Sequence, residues 1–497
     1  MKLPNWPPNI DDEEYKTELI KNLKNFCLSN SLSLLLNSSD SDKVIQAPVS
    51  LFPTPFPKEL YVNSVNLQLL FNELYISISN DYQFLDNVLN DISKFDEFQL
   101  NLWTLWKSNR DSYVQPNSLL ISRSDYMLND SNNENDISTV SQVEFNTISS
   151  SFGGLSNQVN RLHNYLFNDI RYRNLNRDLI KNENLPENRT LEEISNNFEF
   201  THRFYIDHYS STTLPKVVLV VIQDNERNIF DQRLLEYELS KRGIMSIRRT
   251  FKQLSSTLSL NKQNNNSLIL ENEFEISIVY YRAGYTPTDY PTEIEWNVRS
   301  LIESSLAIKC PSLALQLAGC KKVQQILLDE SILKKYLRNA TQTDINNIMK
   351  CFVKIYPFDN SKNGKIAKDL VRSLPKENDP FNYVLKPQRE GGGNNIYKED
   401  IYNYVQNLND EQLSQFILME LIKPPTNLKN ILCRYDQKSY DPINIISELG
   451  IFGACLFNNH SIVKNANCGH LLRTKSNTSN EGGVAVGISV IDEILLI

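Results

Sequence analysis

The stretch from 384 to 397 constrains the fold more than any other, because it joins a β-strand directly to a run of glycines. Its apolar beginning favours a half-buried strand that ends at Lys386, and three consecutive glycines, Gly391–Gly393, follow. Backbone amides in a glycine run can point at anionic oxygens, and a neighbouring lysine adds a fixed cation. The pattern indicates a polyphosphate site in which Lys386 holds phosphate and Glu390 holds Mg²⁺.

A glycine-rich surface loop beside an incidental charge pair is the alternative interpretation of this stretch. The adjoining strand weakens it, since a strand that ends in lysine and then glycines is a more specific arrangement than glycines alone. A P-loop is excluded, because Gly364 and Lys365 are followed by Ile366 and lack the upstream glycine. A nucleotide site in this chain therefore belongs to another class.

Length and charge bound the remaining possibilities. The chain has 497 residues, and one hydrophobic core stops growing at roughly 300, so we expect two or three lobes with a cleft. The net charge of −8 argues against nucleic acid or an anionic membrane as the main partner. No apolar run approaches the roughly 20 residues of a membrane helix, and the amino terminus lacks signal-peptide features, so we expect a cytoplasmic protein. Seven cysteines without a CxxC pair fit reduced, buried thiols.

The first hundred residues predict a helical scaffold. Apolar residues recur at helical spacing from Leu19 to Cys27 and from Leu67 to Leu74. Between them, the proline-dense segment 47–57 cannot be helical, and we expect it to lie extended over the surface as a connector. The Asn-rich stretch 129–138 predicts a flexible loop without function.

A second candidate site lies in the stretch from 142 to 155. Strand alternation places Val143 and Phe145 on one face and Glu144 and Asn146 on the other. Mg²⁺ takes few protein oxygens and completes its shell with water and phosphate, so these two residues are plausible ligands. A half-exposed strand edge is the alternative explanation of the same spacing.

From residue 215 the pattern alternates between strand and helix, which predicts a small doubly wound lobe. Ligands bind such sheets beyond the carboxyl ends of the strands, where 226–228 follow the first strand and Arg282 the last. Arginine at that edge suggests carboxylate recognition, because its planar fork pairs with a carboxylate. Arg123 is expected in the same way at the exit of a strand over 118–121. The run 260–272 predicts a loop expansion.

Two further sets of charged residues have more than one possible role. On a strand, Arg473 and Lys475 share one face, which either places two cations near one anionic ligand or makes a basic exposed edge. Lys321 and Lys322 would ordinarily be solvated helix charges. Beyond them, the paired glycines Gly482 and Gly483 predict a hinge whose closure excludes water.

Jointly, the stretches 142–155, 226–233, 384–397 and 469–487 closely resemble the eukaryotic glutathione synthetases, ligases of the ATP-grasp superfamily. The resemblance runs from 47 to 485 and implies ligation of γ-L-glutamyl-L-cysteine and glycine through an acyl phosphate, giving glutathione, ADP and phosphate. It also implies an Mg²⁺ cofactor, with ATP as co-substrate, and a homodimer that binds small molecules.

The resemblance assigns residues to roles. As catalytic residues it implies Arg473 and Lys386, and as magnesium ligands Glu144, Asn146 and Glu390. For ATP and its metal it implies Glu144, Lys321, Lys386, Glu390, Gly391, Gly392, Gly393, Asn394, Asn395, Tyr397, Met419, Glu420, Leu421, Ile422, Glu448, Lys475 and Glu481. For the dipeptide and the acceptor it implies Arg123, Ser149, Ser150, Ser151, Glu226, Arg227, Asn228, Gln232, Arg282, Tyr285, Arg473, Val484 and Ala485.

The implied fold is α/β (α+β), with an ATP-grasp nucleotide domain, a helical N-terminal scaffold and an inserted doubly wound lobe that binds substrate. The expected domains are 1–214, 215–320 and 321–497. The chain departs from some members at Ala283 and Glu481, where those carry Asp. Two alternatives stay open: a synthetase that uses β-alanine, against which the small Val484 and Ala485 argue, and a non-catalytic nucleotide-binding regulator on the same fold.

Overall fold

The computed structural model describes residues 2–38, 40–94, 96–111, 113–130, 137, 139–210, 212–373, 382–388, 394–459, 461–479 and 482–497. Three predictions fall wholly or largely outside these ranges. They are the roles of Glu390 and Gly391–Gly393, the role of Glu481, and most of the Asn-rich loop 129–138. They stay predictions.

Four helices build the N-terminal scaffold, as predicted. They are α1 (Glu13–Ser29), α2 (Lys58–Asn80), α3 (Tyr82–Ile92) and α4 (Glu97–Arg110). Leu19 and Cys27 of α1 and Phe71 of α2 are fully buried or nearly so, which is the face that the periodicity marked. The helical pattern missed a hairpin between α1 and α2, formed by β1 (Ser33–Asn37) and β2 (Asp40–Gln46).

The proline-dense segment 47–57 is extended but does not lie on the surface, so that part of the prediction was wrong. Its two short strands are β3 (Val49–Ser50) and β4 (Thr54–Phe56). Strands from the far end of the chain, β21 (Val490–Asp492) and β22 (Ile494–Leu496), pair with them in parallel. This pairing buries the segment, because the backbone groups that proline leaves available bond to the C-terminal strands rather than to water.

A large mixed sheet forms the centre of the molecule. Its long antiparallel strands are β5 (Asn117–Asn129), β19 (Ile443–Asn458) and β20 (Ile462–Ser476). In the described residues the main path runs β18-β3-β21-β20-β19-β5-β12-β11-β10-β9, with β6 beside β5, β17 beside β19, β7 beside β11 and β8 beside β7. The remaining bounds are β6 (Thr139–Asn146), β17 (Lys429–Asn430) and β18 (Leu432–Cys433).

Residues 215–320 contribute the parallel part of this sheet. The strands are β7 (Lys216–Val221), β8 (Ser246–Arg249), β9 (Leu258–Asn261), β10 (Ser267–Leu270), β11 (Phe274–Tyr281) and β12 (Ile308–Cys310). The helices are α8 (Ile229–Lys241), α9 (Phe251–Leu254), α10 (Glu293–Glu303) and α11 (Leu313–Ala318). The pairing of β12 with β5 makes this sheet continuous with the antiparallel strands. The run 260–272 contains most of an antiparallel hairpin, β9–β10, rather than a loop expansion.

Helices cover both faces of the central sheet. Adjacent positions on β19 show this, since Phe452 lies against Gly153 of α5, whereas Gly453 lies against Asn72 of α2. The remaining helices are α5 (Gly153–Phe167), α6 (Ile170–Asn174), α7 (Thr190–His208), α12 (Lys321–Ile326), α13 (Glu330–Tyr336) and α14 (Gln342–Cys351). Among the described helices, none has the length and apolarity that a bilayer span requires. All seven cysteines are free and buried, as predicted.

A separate four-stranded antiparallel sheet carries the stretch that begins at residue 384. Its order is β13 (Ile355–Tyr356), β16 (Phe416–Glu420), β14 (Tyr383–Pro387) and β15 (Ile396–Tyr397). Its helices are α15 (Lys362–Arg372), α16 (Glu399–Val405) and α17 (Asp410–Leu413). Val371, Leu385 and Leu418 belong to a core of their own. The predicted strand before the glycines is therefore confirmed as β14.

His163 of α5 makes the structure sensitive to acid. It is fully buried, and neither ring nitrogen has a hydrogen-bond partner among the described residues. Burial lowers its pKa to about 4 against the opposing charge of Glu493. The unfolded state binds a proton below about pH 6.5, but the folded state does so only near pH 4. Stability from this residue is therefore complete above pH 6.5 and is lost as the pH falls.

We expect His163→Leu to flatten the acid limb of the stability curve. The free energy of unfolding of the wild type should fall by about 2 kcal/mol more than that of the variant between pH 7 and pH 5. Urea unfolding at several pH values measures this difference. His208→Gln, at the exposed end of α7, is the matched control. Parallel curves for the wild type and His163→Leu would contradict the prediction.

Candidate functional site

A cleft with a volume of about 930 Å³ lies where the central sheet faces the four-stranded sheet. One wall comes from β5, β6, β19 and β20, and the other from β14, β15 and β16. The cleft gathers most of the predicted site residues, namely Arg123, Glu144, Asn146, Ser149, Ser150, Ser151, Glu226, Arg227, Asn228, Tyr285, Lys321, Lys386, Asn394, Asn395, Tyr397, Met419, Glu420, Leu421, Ile422, Glu448, Arg473, Lys475, Val484 and Ala485.

Strand β6 carries Glu144 and Asn146 into the cleft. Asp125 of β5 pairs with Glu144 and the next residue, Tyr126, pairs with Gln142, so Val143 is the extra residue of a β-bulge. Because of this bulge, the carbonyl oxygen of Val143 reaches the cleft wall, where it accepts a hydrogen bond of 3.3 Å from Lys386 Nζ. Strand alternation predicted that Val143 lies on the same buried face of β6 as Phe145. This part of the prediction was wrong, because the bulge turns Val143 away from that face.

Cations surround the Glu144 carboxylate. Lys321 Nζ lies 2.7 Å from Glu144 Oε2 and is itself buried, which excludes a solvated helix charge for this lysine. Burial raises the pKa of Glu144, but the charges of Lys321, Lys386 and Arg473 outweigh it and hold the pKa well below its ordinary value. Glu144 is thus an ionised oxygen donor at neutral pH.

The register of β19 and β20 sets a second carboxylate opposite a second cation. Glu448 pairs directly with Arg473 across the two strands, and their side chains are in contact. Burial raises the pKa of Glu448 despite this arginine, and the neighbouring charges of Asp125 and Glu144 add to the rise. Lys475 also lines the cleft, two residues along the same strand.

Arg123 lies inside β5 and not at the exit of a strand, so this prediction was wrong. The strand runs on to Asn129, because β6 and β19 pair with it on either side along most of this length. The side chain of Arg123 forks onto Asp125, with Nε 2.6 Å from Oδ1 and Nη2 2.8 Å from Oδ2. Sequence reasoning missed Asp125, although a charge two residues from Arg123 on one strand face was a usable signal.

The serine turn, residues 149–151, enters the cleft under strain that the surroundings hold in place. Ser149 and Phe152 have φ values of 53° and 73°, a conformation that costs of order 1–3 kcal/mol per residue. Arg282 lies behind the turn and donates to the carbonyl oxygen of Ser149 at 2.9 Å and to Ser151 Oγ at 2.7 Å. Arg282 does not line the cleft itself, and positions residues that do.

Asp231 of α8 is the second support of the serine turn. Its carboxylate accepts hydrogen bonds from the backbone N–H of Phe152 at 2.7 Å, of Gly154 at 2.9 Å and of Leu155 at 3.2 Å. Backbone N–H groups at the start of a helix have no acceptor within the helix, so Asp231 supplies one from outside α5. A negative charge at this end also interacts favourably with the helix dipole. A capping carboxylate that comes from another helix leaves no signal in local sequence spacing, and sequence reasoning missed it.

The loop after β7 supplies part of the cleft lining. Glu226 contacts Gln232, whose Oε1 accepts from Arg248 Nη2 at 2.8 Å, so Gln232 lies behind the lining rather than in it. Gln223 does line the cleft and was missed, although it lies two residues after the end of a parallel strand. Asp289 accepts a hydrogen bond of 2.7 Å from Gln223 Nε2.

Two oxygen donors of the predicted magnesium set can be tested against the structure. Asn146 Nδ2 donates to Asp125 Oδ2 at 2.9 Å and to the carbonyl oxygen of Arg123 at 3.2 Å, which leaves the amide oxygen for another partner. With the ionised Glu144, this makes two oxygen ligands of the type that Mg²⁺ prefers. The described residues hold no cluster of three His, Cys, Asp or Glu side chains fit for a metal, and the third predicted ligand, Glu390, lies outside them.

Comparison with known proteins decides the family. The family model described as eukaryotic glutathione synthase, ATP binding domain, matches residues 13–496. Glutathione synthetase of Dictyostelium discoideum is 37% identical over 97% of this chain and 100% of its own length. The glutathione synthetase large chain of Schizosaccharomyces pombe is 35% identical over 98% of this chain and 100% of its own. The chain belongs to the eukaryotic glutathione synthetase family.

The family assignment confirms the fold and the class of reaction. A glutathione synthetase-like effector from Globodera pallida, solved in its apo form, superposes with a TM-score of 0.74 at 22% identity, covering 98% of each chain. This likeness shows the same architecture, a mixed α/β fold of the ATP-grasp type. Glutathione synthetases are ATP-dependent ligases that form a C–N bond, so the chain is a nucleotide-using ligase.

We expect Asp231→Ala to destabilise the protein by about 3 kcal/mol, because three buried N–H groups lose a charged acceptor. The free energy of unfolding in urea measures the loss. Asp224→Ala, in the exposed part of the loop after β7, removes a nearby carboxylate without such partners and should leave stability unchanged. Equal stability of the two variants would contradict the capping role of Asp231.

Proposed function

We propose that this chain is a glutathione synthetase that joins the free carboxylate of γ-L-glutamyl-L-cysteine to the amine of glycine, with ATP converted to ADP and phosphate. The observation that carries this proposal is the convergence of Lys321, Lys386, Arg473 and Lys475 with the carboxylates of Glu144 and Glu448 in one cleft of a family member. Fixed cations beside oxygen ligands are what transfer of a phosphoryl group to a carboxylate requires.

We place the nucleotide against the four-stranded sheet. Met419, Leu421 and Ile422 give this wall an apolar surface for a base, and the irregular segment that follows β16 would present backbone groups to it. Lys386 and Lys321, at the junction with the central sheet, would hold the phosphates. The glycines Gly391–Gly393 and Glu481 belong to this assignment by family resemblance.

Magnesium would be held by Glu144 and Asn146, with Glu390 as the third ligand. When bound, the ion would neutralise charge on the phosphate oxygens. The protein's own contribution is the arrangement of donors: Glu144 is kept ionised by its cationic neighbours, and Asn146 is turned by Asp125 so that its oxygen is available.

We place the dipeptide on the central sheet. The serine turn and Arg123 line the cleft, and so do Glu226, Asn228 and Tyr285 from residues 215–320. An arginine fork suits the reacting carboxylate, and we assign this contact to Arg473, beside the phosphate-binding lysines. Small side chains at Val484 and Ala485 leave room for glycine as the acceptor.

The proposed reaction has two steps. A carboxylate oxygen of the dipeptide attacks the γ-phosphorus. The bond between this phosphorus and the oxygen that bridges the β- and γ-phosphates breaks, and an acyl phosphate and ADP result. The glycine nitrogen then attacks the acyl carbon, phosphate leaves, and the amine loses a proton. Lys386 and Arg473 hold charge that builds up on the transferred group, so no nucleophilic side chain is needed. We further propose that the protein is a cytoplasmic homodimer.

A coupled assay of ADP release tests the function. Release should require γ-glutamylcysteine, glycine and Mg²⁺ together, because phosphoryl transfer needs the dipeptide carboxylate and turnover needs the amine. Each component is omitted in turn, and β-alanine replaces glycine in a parallel series. Faster release with β-alanine would overturn the acceptor assignment. Stabilisation by Mg-ATP without substrate-dependent ADP release would instead indicate a non-catalytic regulator.

We expect Glu144→Gln to fold and to lose about a hundredfold or more in ADP release, since it removes an ionised ligand without leaving a core cavity. In EDTA the same variant should bind ATP more tightly than the wild type, because it lacks one negative charge beside Lys321. Isothermal titration measures this affinity. Glu330→Gln removes another lysine-paired carboxylate, outside the cleft, and should change neither quantity. Wild-type turnover in Glu144→Gln would remove Glu144 from the site.

A further inference from the structure

One carboxylate beneath the cleft contacts three of the side chains that line it. Asp125 Oδ2 accepts hydrogen bonds from Arg123 Nη2 at 2.8 Å, Asn146 Nδ2 at 2.9 Å and Arg473 Nη2 at 3.0 Å. Its other oxygen, Oδ1, accepts from Arg123 Nε at 2.6 Å. Asp125 does not itself line the cleft, and its side chain is 0% exposed.

The three partners of Asp125 come from three different strands. Arg123 is on β5, Asn146 on β6 and Arg473 on β20, two strands away from β5 across β19. The sheet brings these backbones near one another, but long side chains keep their rotamer freedom unless something fixes them. Only one other described carboxylate contacts any of the three, Glu448 on Arg473.

We propose that Asp125 is a positioning residue: it aims Arg123 and Arg473 at the carboxylates of the dipeptide and turns the Asn146 amide so that its oxygen, not its nitrogen, meets the metal. The ligand identities in this statement rest on the proposed function. The positioning itself follows from the four hydrogen bonds.

The physical reason is that an acceptor-only group sorts donors from acceptors. A carboxylate accepts and cannot donate, so the face of Asn146 turned toward it must be the NH₂ group. Its charge also offsets the two guanidinium charges, which would otherwise repel each other in a partly buried site. Preset side chains lose less freedom when substrate binds, and misplacement of reacting groups by about 1 Å can cost a hundredfold in rate.

Asp125→Asn is the first test, because it preserves shape but puts an NH₂ group among donors. We expect the variant to bind γ-glutamylcysteine about tenfold or more weakly in isothermal titration without nucleotide. The rise in melting temperature that ADP causes should also depend on higher Mg²⁺ concentrations than in the wild type, since Asn146 is no longer held. Neither readout depends on turnover.

Gly450→Ala provides a second variant that keeps all the charges. Gly450 faces Asp125 across the β5–β19 pair, and a Cβ there would lie 2.7 Å from Arg123 Cδ and 2.8 Å from Asp125 Oδ1. Gly453→Ala is the matched control, because the same substitution on the same strand meets Asn72 and Gln68 of α2 instead. Gly450→Ala should weaken dipeptide binding in the same direction as Asp125→Asn, and Gly453→Ala should leave it within about twofold of the wild type.

The outcomes separate this inference from the proposed function. Dipeptide affinities within about twofold of the wild type in both Asp125→Asn and Gly450→Ala would overturn the positioning role. Equal weakening by Gly450→Ala and Gly453→Ala would do the same, since it would show a general effect of packing. If Asp125→Asn does not fold, Gly450→Ala and its control decide alone. If the wild-type protein binds the dipeptide but releases no ADP, the proposed function is overturned. The role of Asp125 is then decided by the binding affinities of the variants.

Discussion

The antiparallel register around β5 is the constraint on which the cleft depends. Asp125 of β5 pairs with Glu144 on one side and Gly450 on the other, and Glu448 pairs with Arg473 on the next strand. A slip of one residue would turn every one of these side chains to the opposite face. The core fixes the register, because residues of alternate parity, such as Phe145, are buried against α2.

The charged side chains of the cleft are paired with one another, so a charged ligand that binds there has to replace these partners. Lys321 is paired with Glu144, and Arg473 with Glu448 and Asp125. In the proposed function a nucleotide would bring negative charge for the cations and its metal would bring positive charge for the carboxylates, so only the two together would complement the site. A buried ion pair that loses one partner without replacement is costly, so the metal–nucleotide complex would bind in preference to either component alone.

Much of the fold follows from local sequence, and much of the site does not. The strand at 384 and the helix at Leu67 follow from periodicity within a few residues. The burial of segment 47–57 could not be predicted in this way, because its partners in β21 and β22 lie more than four hundred residues away, as in the hydrogen bond of Ser50 to Asp492. Glu144 could be singled out as a charged residue on a strand, whereas Asp231 acts through backbone donors that carry no sequence signature.

The groups that support the site from behind are buried charges. The serine turn and the residue that follows it include two positive φ values, at Ser149 and Phe152, and Asp231 and Arg282 bond to this backbone from other elements. Strain of this kind persists only where the surroundings over-determine the conformation. Asp125 accepts hydrogen bonds from Arg123 and Arg473 in the same way as Asp231 accepts them from the backbone beside the turn. The cleft thus obtains its rigidity from the buried charges of Asp125, Asp231 and Arg282, which do not line it.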